Sequence, residues 1–258
     1  MTEEVTYQDL QDGVALITLN RPHKRNAINV ITSRALARFV EQTEADPGIR
    51  VVILTGAGSL AFCAGADLDD IAAGIGEHIA ISQTGMCGLI YAERRKPWIA
   101  AVRGAALGGG TELALSCDLI IAGNNASFTL PEVKRGLIAG AGGIYRLIRR
   151  IAPALAMELL LTGNRLEAER AQTFGLINLS VDDEHVLEAA LRLARQIAAN
   201  APLAVQETLV IARQALALGE AQLRLDVEAA GKRLQASEDV QIGVRAFQEK
   251  RTPEWKGR

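Results

Sequence analysis

The chain has 258 residues, of which 28 are Lys or Arg and 30 are Asp or Glu, which gives a net charge of −2. This near-neutral balance argues against a protein that binds nucleic acid through its phosphate backbone. The chain is 49% hydrophobic and 22% charged, a composition that excludes disorder for most of its length. Its length permits one large α/β domain or two small ones.

Three widely spaced cysteines, Cys63, Cys87 and Cys117, suit reduced thiols better than a disulfide framework. The first residues are acidic and are not followed by the apolar run of a secretory leader. Apolar stretches fall short of the about 20 residues that a membrane span requires. We therefore expect a cytoplasmic protein that does not bind membranes.

The first half of the chain alternates between strand and helix patterns. A β-branched run predicts a strand over Val14–Leu19. Apolar residues spaced by three and four from position 31 to 40 predict an amphipathic helix that stops at Asp46-Pro47-Gly48. Further strands are predicted over 51–54, Trp98–Val102 and 119–122. This alternation predicts an α/β fold with much parallel pairing.

The second half is mainly helical. One short strand over 176–181 interrupts it, and no linker divides it from the first half, so we expect one core with a helical extension. The glycine-bearing segment 74–88 is expected to be a mobile surface helix or loop. Helices are predicted over 153–161, 167–174, 184–199, 202–218 and 220–236.

Three glycine clusters indicate where the backbone approaches a partner closely, at 56–58, 108–110 and 140–143. The first cluster follows a predicted strand and fits a Gly-x-Gly-x-x-Ala dinucleotide fingerprint. However, the residues after it lack the helical period that a Rossmann turn must open into. NAD binding is therefore kept only as a rival hypothesis.

The second glycine cluster runs into a predicted helix with Glu112 in its first turn. Backbone N–H groups at such a helix start lack partners and can bind an anion or an oxyanion. Glu132 follows Pro131 at a second predicted helix start, with Pro131 placed at the first helical position. Two carboxylates beside an oxyanion site can act as general acid and base. Spacing alone favours the alternative, two solvated carboxylates at helix starts.

A set of short motifs runs in order through nearly the whole chain. In this combination the sequence resembles the crotonase superfamily and, within it, the enoyl-CoA hydratases. The motifs are Asn20-Arg21-Pro22 with Asn26-Ala27, Leu54-Thr55-Gly56-Ala57-Gly58, Phe62-Cys63-Ala64-Gly65-Ala66-Asp67-Leu68, Lys96-Pro97, Gly108-Gly109-Gly110 with Glu112-Leu113, Cys117-Asp118, Pro131-Glu132, Gly142-Gly143, and Glu249-Lys250-Arg251 with Pro253.

The resemblance implies a fold and an assembly. The fold would be an α/β, crotonase-like β-β-α superhelical spiral core over residues 1–200. A helical C-terminal extension over 201–258 would support a homotrimer, often paired into a hexamer. The substrate partner would be an acyl-CoA thioester, with coenzyme A as part of the substrate and no separate cofactor.

The resemblance also implies residue roles. The N–H groups of Ala66 and Gly109 would bind the thioester oxygen as an oxyanion hole. Glu112 would deprotonate a water that adds to the β-carbon, while Glu132 would hold that water and give a proton to the α-carbon. Substrate-binding residues would be Lys24, Arg25, Ile28, Ala64, Asp67, Leu68, Asp69 and Tyr145.

The chain departs from the hydratase pattern around the acyl pocket. Ala139 stands where many hydratases carry Pro, and Ile144 and Tyr145 stand where Thr or Ser and Gln are common. Thr129 and Leu130 precede Pro131, where a Gly two positions before the Pro is more usual. The acyl pocket is therefore expected to differ, with the Tyr145 hydroxyl either reaching it or simply packing.

Other chemistries find less support. His23, His78 and His185 lack metal-ligand spacing, so no metal site is expected. No Gly-x-Ser-x-Gly motif is present, and Cys63 and Cys117 are expected to be small buried residues. The remaining alternatives are an enoyl-CoA isomerase that uses one acid, another CoA-thioester lyase or hydrolase, and an inactive CoA-binding protein.

Overall fold

The computed structural model describes residues 3–258. Two sheets dominate it, a six-stranded sheet in the order β1-β2-β3-β7-β9-β12 and a four-stranded sheet in the order β11-β10-β8-β4. A two-stranded hairpin, β5-β6, stands apart from them. The strands are β1 (Val5–Asp9), β2 (Val14–Leu19), β3 (Val51–Gly56), β4 (Ala61–Cys63), β5 (Ala80–Ile81), β6 (Gly85–Met86), β7 (Trp98–Val102), β8 (Ala105–Leu107), β9 (Leu119–Gly123), β10 (Ser127–Thr129), β11 (Leu166–Glu167) and β12 (Leu179–Val181).

The helices connect and cover these sheets. Strands β2, β3, β7, β9 and β12 are parallel, and only β1 runs antiparallel in the six-stranded sheet. The helices are α1 (Val30–Ala45), α2 (Leu68–Ala72), α3 (Gly109–Ser116), α4 (Gly143–Arg150), α5 (Pro153–Thr162), α6 (Ala168–Thr173), α7 (Val186–Ala198), α8 (Pro202–Gln214), α9 (Glu220–Gln235) and α10 (Glu238–Gln248).

A repeating strand-strand-helix unit builds the core. A strand of the six-stranded sheet is followed by a strand of the four-stranded sheet and then by a helix, as in β3-β4-α2 and β7-β8-α3. The third unit, β9-β10, leads into a 3₁₀ turn at Glu132–Arg135 before α4. The predicted β-β-α spiral is confirmed. Its repetition brings the residues after β4, β8 and β10 to one region, because these three strands are neighbours or near neighbours in one sheet.

The six-stranded sheet is buried on both faces. In β3, Val52 and Leu54 belong to the main core, whereas Val51 and Ile53 belong to a second cluster with the small residues of α7. This alternation follows from the two-residue period of a strand. Each fully buried side chain of this kind contributes about 1.5–3 kcal/mol. The doubly covered sheet gives the site a rigid support.

Several predicted elements differ from the observed ones. Among the elements that were not predicted are strands β1, β4, β8 and β10 and helices α4 and α10. Strands β4, β8 and β10 have only three residues each, which is too few to show a periodic pattern. Pro131 directly precedes a 3₁₀ turn instead of occupying the first position of an α-helix. The segment 74–88 contains two 3₁₀ turns and the β5-β6 hairpin, and it buries Ile79 and Cys87, so it is not wholly a surface loop.

The C-terminal helices α8 to α10 attach to the core through polar contacts. Arg213 pairs with Asp118 at 2.8 Å, and the Trp255 indole N–H donates to the Ala199 carbonyl at 2.8 Å. Within residues 3–258, no helix has the length and apolar character needed to cross a membrane. Large apolar side chains on α9 and α10 remain exposed in the single chain, namely Leu225, Val227, Val244 and Phe247.

Candidate active site

Glu112 lies in the first turn of α3 and is only 4% exposed. Its Oε1 accepts a hydrogen bond of 2.9 Å from the backbone N–H of Gly143, the first residue of α4. Burial is the main cause that raises the pKa of Glu112 to about 7, and the negative charge of Glu132 raises it too. The hydrogen bond from Gly143 has the opposite effect and lowers the pKa. A carboxyl group with this pKa can exchange a proton near neutral pH.

Glu132 begins the 3₁₀ turn after β10 and is half-buried. Its Oε1 lies over Gly108, 2.9 Å from the point that a Cβ there would occupy. Its Oε2 is buried and has no hydrogen-bond partner among the described residues. Burial raises the pKa of Glu132 above its usual value. A buried carboxylate oxygen without a partner is suited to bind water or substrate.

Gly108 and Thr111, which precede Glu112, help to set the relative positions of the two glutamates. Gly108 has a φ of +51°, a conformation that favours glycine, and it turns the chain from β8 into α3. Thr111 Oγ1 lies 2.8 Å from the Ala106 carbonyl oxygen and accepts from the Thr129 N–H at 3.1 Å. Thr111 thus ties the helix of Glu112 to the strand that precedes Glu132. Sequence reasoning missed Thr111, whose only signal was its place between the glycines and Glu112.

The loop after β4 brings Ala66 close to Gly109. Ile28 N–H donates to the Gly65 carbonyl and Asp67 N–H donates to the Ile28 carbonyl, both at 2.8 Å, so the Ala66 N–H points away from Ile28. Gly65 has a φ of +86°, and a Cβ there would lie 3.1 Å from the Gly109 nitrogen. In the described part of the chain, neither the Ala66 nor the Gly109 N–H has an acceptor. Two unpaired donors side by side fit an oxyanion.

Side chains from two further segments border this space. A Cβ on Gly109 would lie 3.0 Å from the sulfur of Met86, which ends the β5-β6 hairpin. Both tyrosines lie against the segment before Gly143: the Tyr91 hydroxyl donates to the Gly140 carbonyl at 3.0 Å, and the Tyr145 hydroxyl lies 2.8 Å from the Cβ position of Gly142. Tyr145 was predicted, whereas Met86 and Tyr91 were missed because no motif marks the segment that carries them.

Asp67, one of the residues predicted to bind substrate, is already paired. It lies buried 2.7 Å from the Arg21 guanidinium, and its other oxygen accepts from the Asp69 N–H at 3.1 Å. Burial opposes its ionisation, but Arg21 and the Asp69 amide hold the pKa of Asp67 below the usual value. We therefore expect Asp67 to hold the loop of Ala66 in place instead of contacting substrate.

The other predicted binding residues surround the same loop. Lys24 and Asp69 form an exposed ion pair of 2.8 Å. Ile28 is fully buried, so only its backbone borders the loop, and the Ala64 N–H donates to the Arg25 carbonyl at 3.0 Å. Leu68 is 71% exposed. The structure thus gathers seven of the eight predicted binding residues at one loop, and Tyr145 lies apart from them on α4.

The rival chemistries can be compared with the same geometry. The glycine cluster after β3 leads into strand β4 and not into a helix, so it lacks the setting of a dinucleotide fingerprint. Cys63, Cys87 and Cys117 are buried free thiols, and burial raises the pKa of Cys63 and of Cys117 to about 12. No group of three His, Cys, Asp or Glu residues within positions 3–258 could hold a metal ion.

Two carboxyl groups, one buried and one half-buried, lie beside two unpaired amides, and such an arrangement is suited to moving protons next to a carbonyl group. The profile of the enoyl-CoA hydratase/isomerase family matches residues 9–258. The chain belongs to this family, as its sequence motifs indicated, and it is an enzyme of the crotonase type.

Individual relatives support this placement. The chain is 42% identical over 251 residues to a carnitinyl-CoA dehydratase of Proteus mirabilis, covering 95% of this chain and 96% of that one. It is 40% identical over 256 residues to a 2,3-dehydroadipyl-CoA hydratase of Escherichia coli, covering 96% and 97%. The crystal structure of an enoyl-CoA hydratase from Mycobacterium tuberculosis superposes with a TM-score of 0.95 at 42% identity, over 100% of both chains.

Proposed function

We propose that this enzyme adds water across the 2,3 double bond of a 2-enoyl-CoA thioester. The observation that carries the proposal is the meeting of Glu112 and Glu132, both with raised pKa values, beside the unpaired amides of Ala66 and Gly109. An isomerase would need only one of the two acids. The relatives named as hydratases and dehydratases support the same reaction type.

The two amides would act on the thioester carbonyl. As water adds to the β-carbon, negative charge moves onto the thioester oxygen, where the N–H groups of Ala66 and Gly109 can donate to it. Such preorganised donors contribute roughly 3–4 kcal/mol each to the transition state. The positive end of the α3 dipole at Gly109 adds to this effect.

The two carboxyl groups would divide the proton transfers. Ionised Glu112 takes a proton from the water whose oxygen bonds to the β-carbon, and protonated Glu132 gives its proton to the α-carbon. The sum is one water added, and the two carboxyl groups exchange a proton before the next turnover. The Gly143 N–H keeps the Glu112 carboxylate aimed during this step. Each group is expected to contribute about 10²–10⁴-fold.

The test is the loss of enoyl-thioester ultraviolet absorbance when the enzyme meets crotonyl-CoA. Glu112→Gln and Glu132→Gln should each lower kcat by about 10²–10⁴-fold, while Glu41→Gln, at an exposed position of α1, should not change it. An inactive wild type would contradict the proposal. A Glu132→Gln enzyme that loses hydration but still moves double bonds would show an isomerase instead.

Binding of coenzyme A and assembly belong to the same proposal. Because exposed ion pairs contribute little, Lys24 can leave Asp69 for a CoA phosphate, with Arg25 beside it. Coenzyme A enters as part of the substrate and no separate cofactor is required. We also propose a homotrimer or a dimer of trimers, supported by the exposed apolar residues of α9 and α10. The buried free thiols support a reducing, cytoplasmic setting.

A further inference from the structure

Two tyrosines and two arginines form a polar wall on one side of the candidate site. Tyr91 and Tyr145 are 47% and 42% exposed. The Arg146 guanidinium lies near both rings, 5.8 Å from the centre of the Tyr91 ring and 5.4 Å from that of Tyr145. The Arg149 guanidinium lies 5.8 Å from the Tyr145 ring. We call these four residues the tyrosine-arginine wall.

The tyrosine-arginine wall is continuous with the reacting centre at both ends. At one end, a Cβ on Gly85 would lie 2.7 Å from the Tyr91 ring, and the next residue, Met86, packs over Gly109. At the other end, the Tyr145 hydroxyl lies 2.8 Å from the Cβ position of Gly142, and the N–H of Gly143 holds Glu112. An acyl chain whose thioester sits at Gly109 and whose double bond sits at Glu112 would therefore extend toward the wall.

The hydrogen-bonding groups of the wall are not equally occupied. Arg146 donates to the carbonyls of Ile90 and Ala141 and so orders both rings. The Tyr91 hydroxyl already donates to Gly140. By contrast, the Tyr145 hydroxyl lies within hydrogen-bonding reach of a neutral group, the Tyr91 hydroxyl, and Arg149 is exposed and forms no ion pair within positions 3–258. Because the Tyr91 hydroxyl donates to Gly140, the Tyr145 hydroxyl can donate to a carboxylate, which is a stronger acceptor than a neutral phenol oxygen. One hydroxyl donor and one guanidinium can therefore bind a ligand.

We propose that the enzyme selects enoyl-CoA thioesters whose acyl chain ends in a carboxylate, bound by the Tyr145 hydroxyl and the Arg149 guanidinium. This inference rests on the proposed hydration of enoyl-CoA thioesters. A carboxylate accepts from both donors and matches the positive charge. A methyl end would displace water from these groups without replacing its hydrogen bonds.

The test compares two thioesters of equal chain length, one ending in methyl and one in carboxylate. Dissociation constants of the saturated thioesters, measured by calorimetry, report binding without requiring any reaction, and kcat/KM of the corresponding 2-enoyl thioesters reports turnover. The wild type should prefer the carboxylate about tenfold or more, the range of a charge-assisted hydrogen bond. Arg149→Gln and Tyr145→Phe should each remove most of this preference.

The chain offers a matched control for the loss of a hydroxyl. Tyr7 of β1 stacks on Phe39 of α1 with ring centres 5.4 Å apart. Because this pair is not part of the tyrosine-arginine wall, Tyr7→Phe should keep the full preference. Equal or weaker binding of the carboxylate thioester by the wild type would overturn the inference, as would a preference that persists in both wall variants. Preferential carboxylate binding without hydration would instead contradict the proposed reaction and leave this inference standing.

Discussion

Glu112 and Glu132 lie close together but in different surroundings. Glu112 is almost fully enclosed, sits in a helical first turn and is held by the Gly143 amide. Glu132 is half-buried on a short 3₁₀ turn, and its Oε2 has no partner among residues 3–258. One carboxylate is thus fixed in place, whereas the other keeps an oxygen available for a ligand.

This difference explains how two identical side chains can take two roles. Pairs of acids become a base and an acid when their environments differ. The fixed carboxylate of Glu112 suits a base that must be aimed at one water. The unoccupied oxygen of Glu132 suits a group that contacts the water and then the α-carbon. Both roles require that the thioester be placed by the amides of Ala66 and Gly109.

Outside the two glutamates, the largest expected effect comes from removing an amide that places the thioester for both of them. Gly109→Pro deletes the N–H at the first position of α3, where proline is tolerated by the helix. We expect kcat for hydration to fall by about 10²–10³-fold, as for loss of one oxyanion donor.

Gly109→Ala is the matched control for that variant. It places a similar carbon against Met86 but keeps the N–H, so most of the activity should remain. If both variants lose activity equally, contact with Met86 and not the lost hydrogen bond is the cause, and the role of the Gly109 amide is contradicted.

The next effect concerns the loop that carries Ala66. Asp67→Asn removes the nearer of two carboxylates from the buried Arg21 guanidinium and leaves Glu4, at 3.4 Å, as its charged partner, so we expect the free energy of unfolding to fall by up to about 3 kcal/mol. Denaturant unfolding measures this change, and Asp69→Asn, in an exposed pair, should lower it by less than about 1 kcal/mol. A stable Asp67→Asn enzyme with a raised KM would instead place Asp67 in direct contact with substrate.

A further expected effect is on the pH dependence of the free energy of unfolding, which should differ between the two glutamates. The folded-state pKa of Glu112 is about 7 against an ordinary 4.5, so folding disfavours its ionised form. The wild type therefore loses stability as pH rises from about 4.5 to about 7, by up to roughly 3 kcal/mol for this shift. Below both pKa values the group is protonated in either state and the loss disappears.

Glu112→Gln should consequently be more stable than the wild type at pH 8 and equally stable near pH 4. Glu132→Gln should gain less, because Glu132 is less deeply buried. Thermal unfolding of the three proteins at both pH values measures the difference. A Glu112→Gln variant that is less stable than the wild type at pH 8 would contradict the raised pKa of Glu112.

The parts of the fold with strong periodicity could be predicted from the sequence. The strand Trp98–Val102 was predicted with its observed bounds, and the helix predicted from Ile31 to a stop at 46–48 agrees with α1, Val30–Ala45. Strand β10 could not be predicted because three residues carry too little periodicity, and it is defined by pairing with β8 and β11. Without β10, Glu132 was predicted to lie at the start of an α-helix, whereas it begins a 3₁₀ turn after that strand.

The site was predictable where glycines and motifs mark it and not elsewhere. Glu112, Glu132, Ala66 and Gly109 lie in such motifs, and the structure brings them together. Met86 and Tyr91 reach the site through tertiary packing of a segment without regular pattern, so nothing local indicates them. The pairing of Asp67 with Arg21 joins residues 46 positions apart, which no single motif contains.

The most direct test of the two-glutamate mechanism is to measure the hydration of crotonyl-CoA by the wild type, Glu112→Gln, Glu132→Gln and the double variant. Because the two carboxyl groups act on one water, we predict losses of about 10²–10⁴-fold for each single variant and a double variant little worse than the weaker single one. An enzyme that hydrates crotonyl-CoA with either glutamate replaced at near wild-type rate would contradict the two-glutamate mechanism.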